Sequence, residues 1–184
     1  MAWTNADGLQ VRFGSDWSSN GLRRNRPGTL STMGAEKQIE VDVVFKTLAS
    51  GVTGYSADLN NDGTNDGFYN GDVKIPANSK ITAVQYVAGE TAVGGTAFTV
   101  GLYQLNGTAI NATGLITATE GVVANMTVGK IITGAGTLAS TTSGSTSVGA
   151  TDAYIGITPT GTFTAGRGRL IIRYIDPTPL PNIT

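Results

Sequence analysis

The sequence predicts an all-β protein, an antiparallel β-sandwich of jelly-roll type, and three observations carry that prediction. Apolar residues recur with the two-residue period of strands, and no helical period of useful length is sustained anywhere. Turn-forming residues punctuate these runs at short intervals, which gives about eight strands in the pattern of a sandwich. Charged residues make up only 14% and Gly numbers 26, a mixture that suits a turn-rich sheet wetted by hydroxyls more than by charges.

In chain order, residues 1–37 form the segment least like a packed core and are expected to be an N-terminal arm. Leu9, Val11 and Phe13 alternate with Gln10 and Arg12 and could hold a short strand, whereas the following stretch is polar. Arg23, Arg24 and Arg26 bracket Asn25 ahead of Pro27 and Gly28. Such a cluster is either a solvated loop or an arm that docks on an acidic surface.

Residues 38–175 carry the sandwich. Ile39, Val41, Val43 and Phe45 alternate with Glu40, Asp42, Val44 and Lys46, so a long strand over 38–48 has one apolar and one mostly charged face. Residues 73–75 end a strand, 76–80 make a turn entered through Pro76, and 81–87 form a β-branched and aromatic run. Phe98, Val100 and Leu102 then share one face of a strand, with Thr99, Gly101 and Tyr103 on the other. Asn106 and Gly107 predict a two-residue hairpin turn, because both accept positive φ. Residues 115–133 hold short apolar runs, and 134–150 are a Gly, Ser and Thr block read as a loop with some strand inside it. Residues 153–158 and 169–175 are the closing strands, with 164–168 as the turn before the last. Residues 176–184 contain three prolines and are expected to be an extended tail that cannot join the middle of a sheet.

One loop is chemically suggestive. Asp58, Asn60, Asp62 and Asp66, with Gly63 for the sharp turn, occupy the first, third, fifth, ninth and sixth places of a calcium loop. The twelfth place, where an EF-hand puts a bidentate Glu, is Tyr69, and no helix pattern flanks the loop. Asp, Asn and Gly are also the ordinary turn formers, so two readings stand: a calcium site and a bare turn between strands.

Composition bounds the function. The formal net charge of −1 gives no reason to expect nucleic acid or anionic lipid as a partner. The chain has no Cys, which excludes disulfides and thiolate metal sites, and no His, the commonest general base and transition-metal ligand. No apolar run is long enough to span a bilayer, and the N-terminus lacks the pattern of a signal peptide, so a soluble protein made in the cytoplasm is expected. Glycan hydrolysis would need two carboxylates held on rigid elements, but the acids concentrate in the 58–72 loop. No Gly-x-Ser-x-Gly elbow is present either, and a non-enzymatic protein is expected.

The opening MAWTNADGLQVRFG, the central IPANSKITAVQYVAGETAVGGTAFTVGLYQLNGTAINATGL and the closing FTAGRGRLIIRYI resemble a family of small virion proteins of short-tailed phages, regarded as capsid decoration or head structural proteins. The resemblance covers the N-terminus and most of residues 73–175 and consists of strand and turn grammar without a catalytic signature. It implies a β protein on the outside of an icosahedral head, synthesised in the host cytoplasm, with the major capsid protein as partner. The 58–67 loop and the proline tail have no place in the family pattern. Large aromatics and Arg most often anchor protein interfaces, so Trp3, Phe13, Trp17, Arg23, Arg24 and Arg26 are the candidate capsid-binding residues. Self-association, most simply as a homotrimer, is expected because a low-charge sandwich has edges to cover and a shell offers threefold positions.

The alternative is a carbohydrate-binding or host-recognition module of a phage fibre or spike, with a host surface glycan as ligand. Jelly rolls do bind sugars, often through exposed aromatics and calcium, and Trp3, Trp17, Tyr55, Tyr69 and Tyr86 are available.

For the acidic loop, four oxygen ligands without the bidentate twelfth residue predict weak calcium binding, with a Kd of roughly 0.1 to 1 mM. Calcium should raise the melting temperature of the parent protein and leave Asp58→Ala and Asp62→Ala unmoved. Equal melting in calcium and in chelator would leave only the turn.

Overall fold

The computed structural model of the protein describes residues 2–4, 10–12, 36–51, 53, 74–139 and 147–176. Strands β1 (Ala2–Thr4) and β2 (Gln10–Arg12) pair antiparallel in a two-stranded sheet of their own, with Trp3 opposite Val11. The strand expected around Val11 therefore exists, but it is not part of either sandwich sheet.

Eight further strands build the sandwich: β3 (Glu36–Val44), β4 (Lys74–Ile75), β5 (Lys80–Gly94), β6 (Ala97–Tyr103), β7 (Ala109–Ile116), β8 (Ile131–Thr133), β9 (Ala153–Thr160) and β10 (Phe163–Ile175). They form two four-stranded sheets, ordered β3-β10-β5-β8 and β4-β9-β6-β7, with every pairing antiparallel. Counted from β3, one sheet holds the first, eighth, third and sixth strands and the other the second, seventh, fourth and fifth. That is the order of a jelly roll.

Alternation places the core between the sheets. Ile39, Val41 and Val43 of β3, Leu170, Ile172 and Tyr174 of β10, and Val84, Tyr86 and Ala88 of β5 face Phe98, Val100 and Leu102 of β6 and Ile155 and Ile157 of β9, all buried. At one end Phe45, in a 3₁₀ turn directly after β3, closes the core. Its ring lies 5.8 Å from Tyr86, 5.0 Å from Phe98 and 5.0 Å from Phe163, and Tyr86 lies 5.2 Å from Phe98. The Phe45–Phe163 pair is tilted and the other three are edge-on; an edge-on pair adds roughly 0.5–1.5 kcal/mol beyond area burial.

Several boundaries differ from the sequence expectation, each for a local reason. Residues 164–168, expected as a turn, belong to β10, whose register against β5 shifts repeatedly between Phe163 and Gly168. Gly166 takes φ +122 there, and a Cβ on it would sit 2.9 Å from Ala92, so these glycines serve bulges and not a reversal. The reversal is at Gly161 and Thr162, with Gly161 at φ +80. The Asn106-Gly107 hairpin is a three-residue loop: Gln104 N–H donates to Thr108 O and Gly107 N–H to Gln104 O, and only Gly107, at φ +82, is left-handed. No strand occurs among the described residues of the 134–150 block. Leu138, Ala139 and Val148 are nevertheless buried, and Leu138 N–H and Ala139 N–H both donate to Gly114 O of β7.

The β6–β7 pair carries the largest irregularity. Val100 opposes Ile116 and Leu102 opposes Asn111, so three extra residues of β7 loop out, and Ala112 backbone crosses above Gly101. A Cβ on Gly101 would lie 2.4 Å from Ala112 carbonyl carbon.

The Tyr86 hydroxyl is fully buried with no hydrogen-bond partner among the described residues. Burial, with Glu90 adding a smaller push, raises its pKa far above the usual tyrosine value. Removing an orphaned hydroxyl from an apolar site relieves its desolvation cost, so Tyr86→Phe should raise stability by about 1 kcal/mol, whereas Phe45→Ala should lose about 3–5 kcal/mol. Urea unfolding midpoints measure both, and a Tyr86→Phe loss comparable with that of Phe45→Ala would show that the hydroxyl is partnered.

Candidate functional site

The sequence-predicted site residues divide between one that the fold places and several that it does not. Trp3 lies on β1. Phe13, Trp17, Arg23, Arg24 and Arg26, and the loop residues Asp58, Asn60, Asp62 and Asp66, lie outside the described residues. Among the described residues no three acids gather where they could hold a metal ion. Tyr86, considered above as an exposed aromatic for a sugar ligand, is instead a core residue with 0% exposure, because it lies on the inward face of β5.

The described surface has two features built by the topology. The first is the outer face of the β3-β10-β5-β8 sheet. Glu40 and Asp42 of β3 stand beside the Arg side chains of β10, since β3 and β10 pair with Asp42 opposite Arg169. Arg169 Nε donates to Asp42 Oδ1 and Nη1 to Glu40 Oε2, both at 3.1 Å, and Arg173 Nε donates to Gln38 Oε1 at 3.1 Å. The hydrogen bond and charge of Asp42, with a smaller contribution from Glu40, hold the Arg169 guanidinium more firmly protonated than usual. Arg167 reaches Glu90 of β5 at 3.8 Å. Farther across, the face turns apolar at half-buried Val87 and at Ile131, which is 59% exposed. Acidic, basic and apolar stripes therefore run side by side along successive strands. The acids of β3 were legible as a charged face, but their pairing with arginines more than 120 residues away was not.

The second feature is one pole of the sandwich, where β3, β5 and β9 begin and β6 and β10 end. Glu36, the first residue of β3, opposes Ile175, the last of β10, which in turn opposes Lys80, the first of β5. Lys37 Nζ bonds Asp176 Oδ2 at 2.6 Å, and Thr82 Oγ1 donates to Glu36 Oε1 across β10 at 2.5 Å. Burial, assisted by Asp176, pushes the Tyr174 phenol up to about 12. In the other sheet Asp152 ties down the 76–79 turn: its Oδ2 accepts from Lys74 Nζ at 2.5 Å and its Oδ1 from Ala77 N–H at 3.1 Å. Asn78, the one non-glycine with positive φ among the described residues, donates its N–H to Gly149 O at 2.6 Å, and Val148 N–H donates to Ser79 O at 2.9 Å.

The Lys74 bond holds the Asp152 carboxyl below its usual pKa, and the Ala77 N–H adds to that, while partial burial opposes both. A depressed folded-state pKa contributes stability that is present above the unfolded value and lost as pH falls through the folded one. Asp152→Asn keeps an acceptor for Ala77 but removes the charge. Its melting temperature should sit slightly below that of the parent at pH 7, with the gap closing in acid below the ordinary Asp range. Thermal melts from pH 7 to pH 2 measure this, and a gap that widens in acid would contradict the assignment.

No protein-family model matches the chain, and no curated protein sequence matches it. Among solved structures, the chain is similar to a chain of the cyanophage Pam1 capsid asymmetric unit, at 16% identity over 88% of this chain and 98% of that one, with a TM-score of 0.48. It is also similar to a chain in the capsid of Ralstonia phage GP4, at 12% identity over 91% of this chain and 93% of that one, with a TM-score of 0.47.

Proposed function

We propose that this chain is a non-catalytic virion structural protein that adds to the outside of a phage capsid, as a homotrimer, through the N-terminal segment rich in aromatics and arginine. The observation that carries the reading is the sequence resemblance of residues 1–14, 75–115 and 163–175 to phage decoration and head proteins. The first of those segments holds β1 and β2, and the other two run from the end of β4 through β5 and β6 into β7 and over β10, which belong to the scaffold of the jelly roll. A scaffold of this kind is suited to display: its interior is filled by side chains, and its ionic pairs at Arg169, Lys74 and Lys37 tie strand to strand. The inventory without Cys or His agrees with a structural role.

The test is reconstitution. Purified protein should bind heads lacking it, and sedimentation at micromolar concentration should report a trimer. Removing residues 1–26 should leave a cooperatively melting β protein that no longer binds, because the sandwich strands all lie beyond that cut. Arg23→Glu combined with Arg24→Glu should weaken binding in a salt-dependent way. Failure of the intact protein to bind heads that lack it would overturn the reading, and normal binding by the deletion would move attachment away from the arm.

A further inference from the structure

We propose that the outer face of the β3-β10-β5-β8 sheet, at the end where β3 finishes, is a twofold contact between two copies of this chain. Four of the six exposed large hydrophobics among the described residues, Val44, Val93, Val128 and Ile131, gather there. The strand register sets out their order. Val44 of β3 opposes Arg167 of β10, and Arg167 opposes Glu90 of β5. The β5–β8 register that sets Val87 against Ile131 continues N-terminal to β8, since Ala88 N–H donates to Lys130 O and Ala92 N–H to Met126 O. It brings Val128 opposite Glu90, and Val128 N–H donates to the hydroxyl of the next residue, Thr91, at 3.1 Å. One row across the sheet therefore reads Val44, Arg167, Glu90, Val128: apolar, basic, acidic, apolar.

That order is its own complement. A twofold axis parallel to the strands, lying between β10 and β5, reverses the row, so Arg167 of each copy meets Glu90 of the other and Val44 meets Val128. The row beyond it fits as well: Val93 opposes Ala165, and the reversal sets each over the other. In the row behind, Asp42 and Arg169 are already bonded to each other, so no unmet charge is set over Val87 and Ile131 of the second copy. Within one chain the Arg167–Glu90 pair is loose, with a closest approach of 3.8 Å and side chains 71% and 50% exposed. An exposed pair of this kind contributes little to the monomer, and both groups can re-pair across a contact that shields them from water. A partner surface of one charge sign would set one of the two against its like, whereas a second copy satisfies both. The exposed valines and Ile131 around the pair supply the apolar area that such a contact buries. The contact goes beyond the capsid-attached homotrimer: a trimer held through another surface would be joined in pairs by it.

Because the chain has no Cys, introduced cysteines report on this contact without background. Val44→Cys and Val128→Cys are made singly and together, each full-length variant is shown to melt as the parent does, and the free protein is treated with a short bismaleimide. A twofold contact holds each Val44 beside Val128 of the other copy and three strand spacings, about 14 Å, from its own twin. The double variant should therefore crosslink to twice the chain mass on a denaturing gel and stop there, at several-fold the yield of either single variant. Adding Glu90→Arg should abolish the product, and adding Arg167→Glu to that variant should restore it. A double-variant yield no higher than that of the single variants, or one indifferent to Glu90→Arg, would overturn the inference. Three-chain products would place the patch in a head-to-tail ring and overturn its twofold symmetry. None of these outcomes depends on head binding, so the capsid reading and this contact fail separately.

Discussion

The structure depends on β10 lying between β3 and β5. Its nine residues from Arg167 to Ile175 bond to β3 on one side, and on the other side it bonds to β5 over its whole length. Neither neighbour can form this sheet without it, and β3 is more than 120 residues earlier in the chain. Closing such a pairing costs loop entropy before any contact repays it, so the sandwich is a slow-folding, non-local topology completed by its last strand. The inward Leu170, Ile172 and Tyr174 arrive with that strand, and core formation and sheet closure are therefore one event.

The aromatic hub follows from the same constraint. Phe45 can touch rings of both sheets only because β3 stops at Val44 and the 3₁₀ turn carries the chain under the end of the core. Tyr86 fits beneath β10 because Gly168 has no side chain; a Cβ there would lie 2.4 Å from the tyrosine oxygen. That close approach leaves the hydroxyl in an apolar site, the cost of placing a large ring where β5 and β10 cross the hub. Ring contacts to Phe45 and Phe98 offset it.

The parts of this fold legible in the sequence were those where one face is buried and the other wet. Ile39, Val41, Val43 and Phe45 alternate cleanly and are all buried, and Phe98, Val100 and Leu102 likewise. Legibility failed where tertiary contacts replaced that rule. Bulges break the period of β5, so Ile81 and Val84 both face inward three residues apart, with a register shift between them. β4 has two residues and β8 three, too short for any period to register. The buried Leu138 and Ala139 sit in a Gly, Ser and Thr block whose composition reads as loop, because their burial comes from docking on Gly114. Tyr103 and Tyr154 are on the outer face of their sheet yet buried, with Tyr103 lying over Gly156. Of the candidate site, the calcium and arm residues were read from composition alone, while the Arg169 and Asp152 pairs required the strand order.

Charge placement then limits how this sandwich can meet its own kind. β3 is the outermost strand of its sheet among the described residues, and its outward side chains include Glu36, Glu40 and Asp42. Pairing two such edges antiparallel about Glu40 would set Glu40 against its twin and bring the neighbouring acids into the same small area. Like charges directly opposite one another destabilise a ladder, and charged edges are a common defence against edge-to-edge aggregation. Arg169 neutralises part of this stripe from within the sheet, which favours the folded monomer without making the edge attractive to a second acidic edge. A near-neutral chain with so few charges relies on their position, and these acids disfavour edge-to-edge pairing through β3.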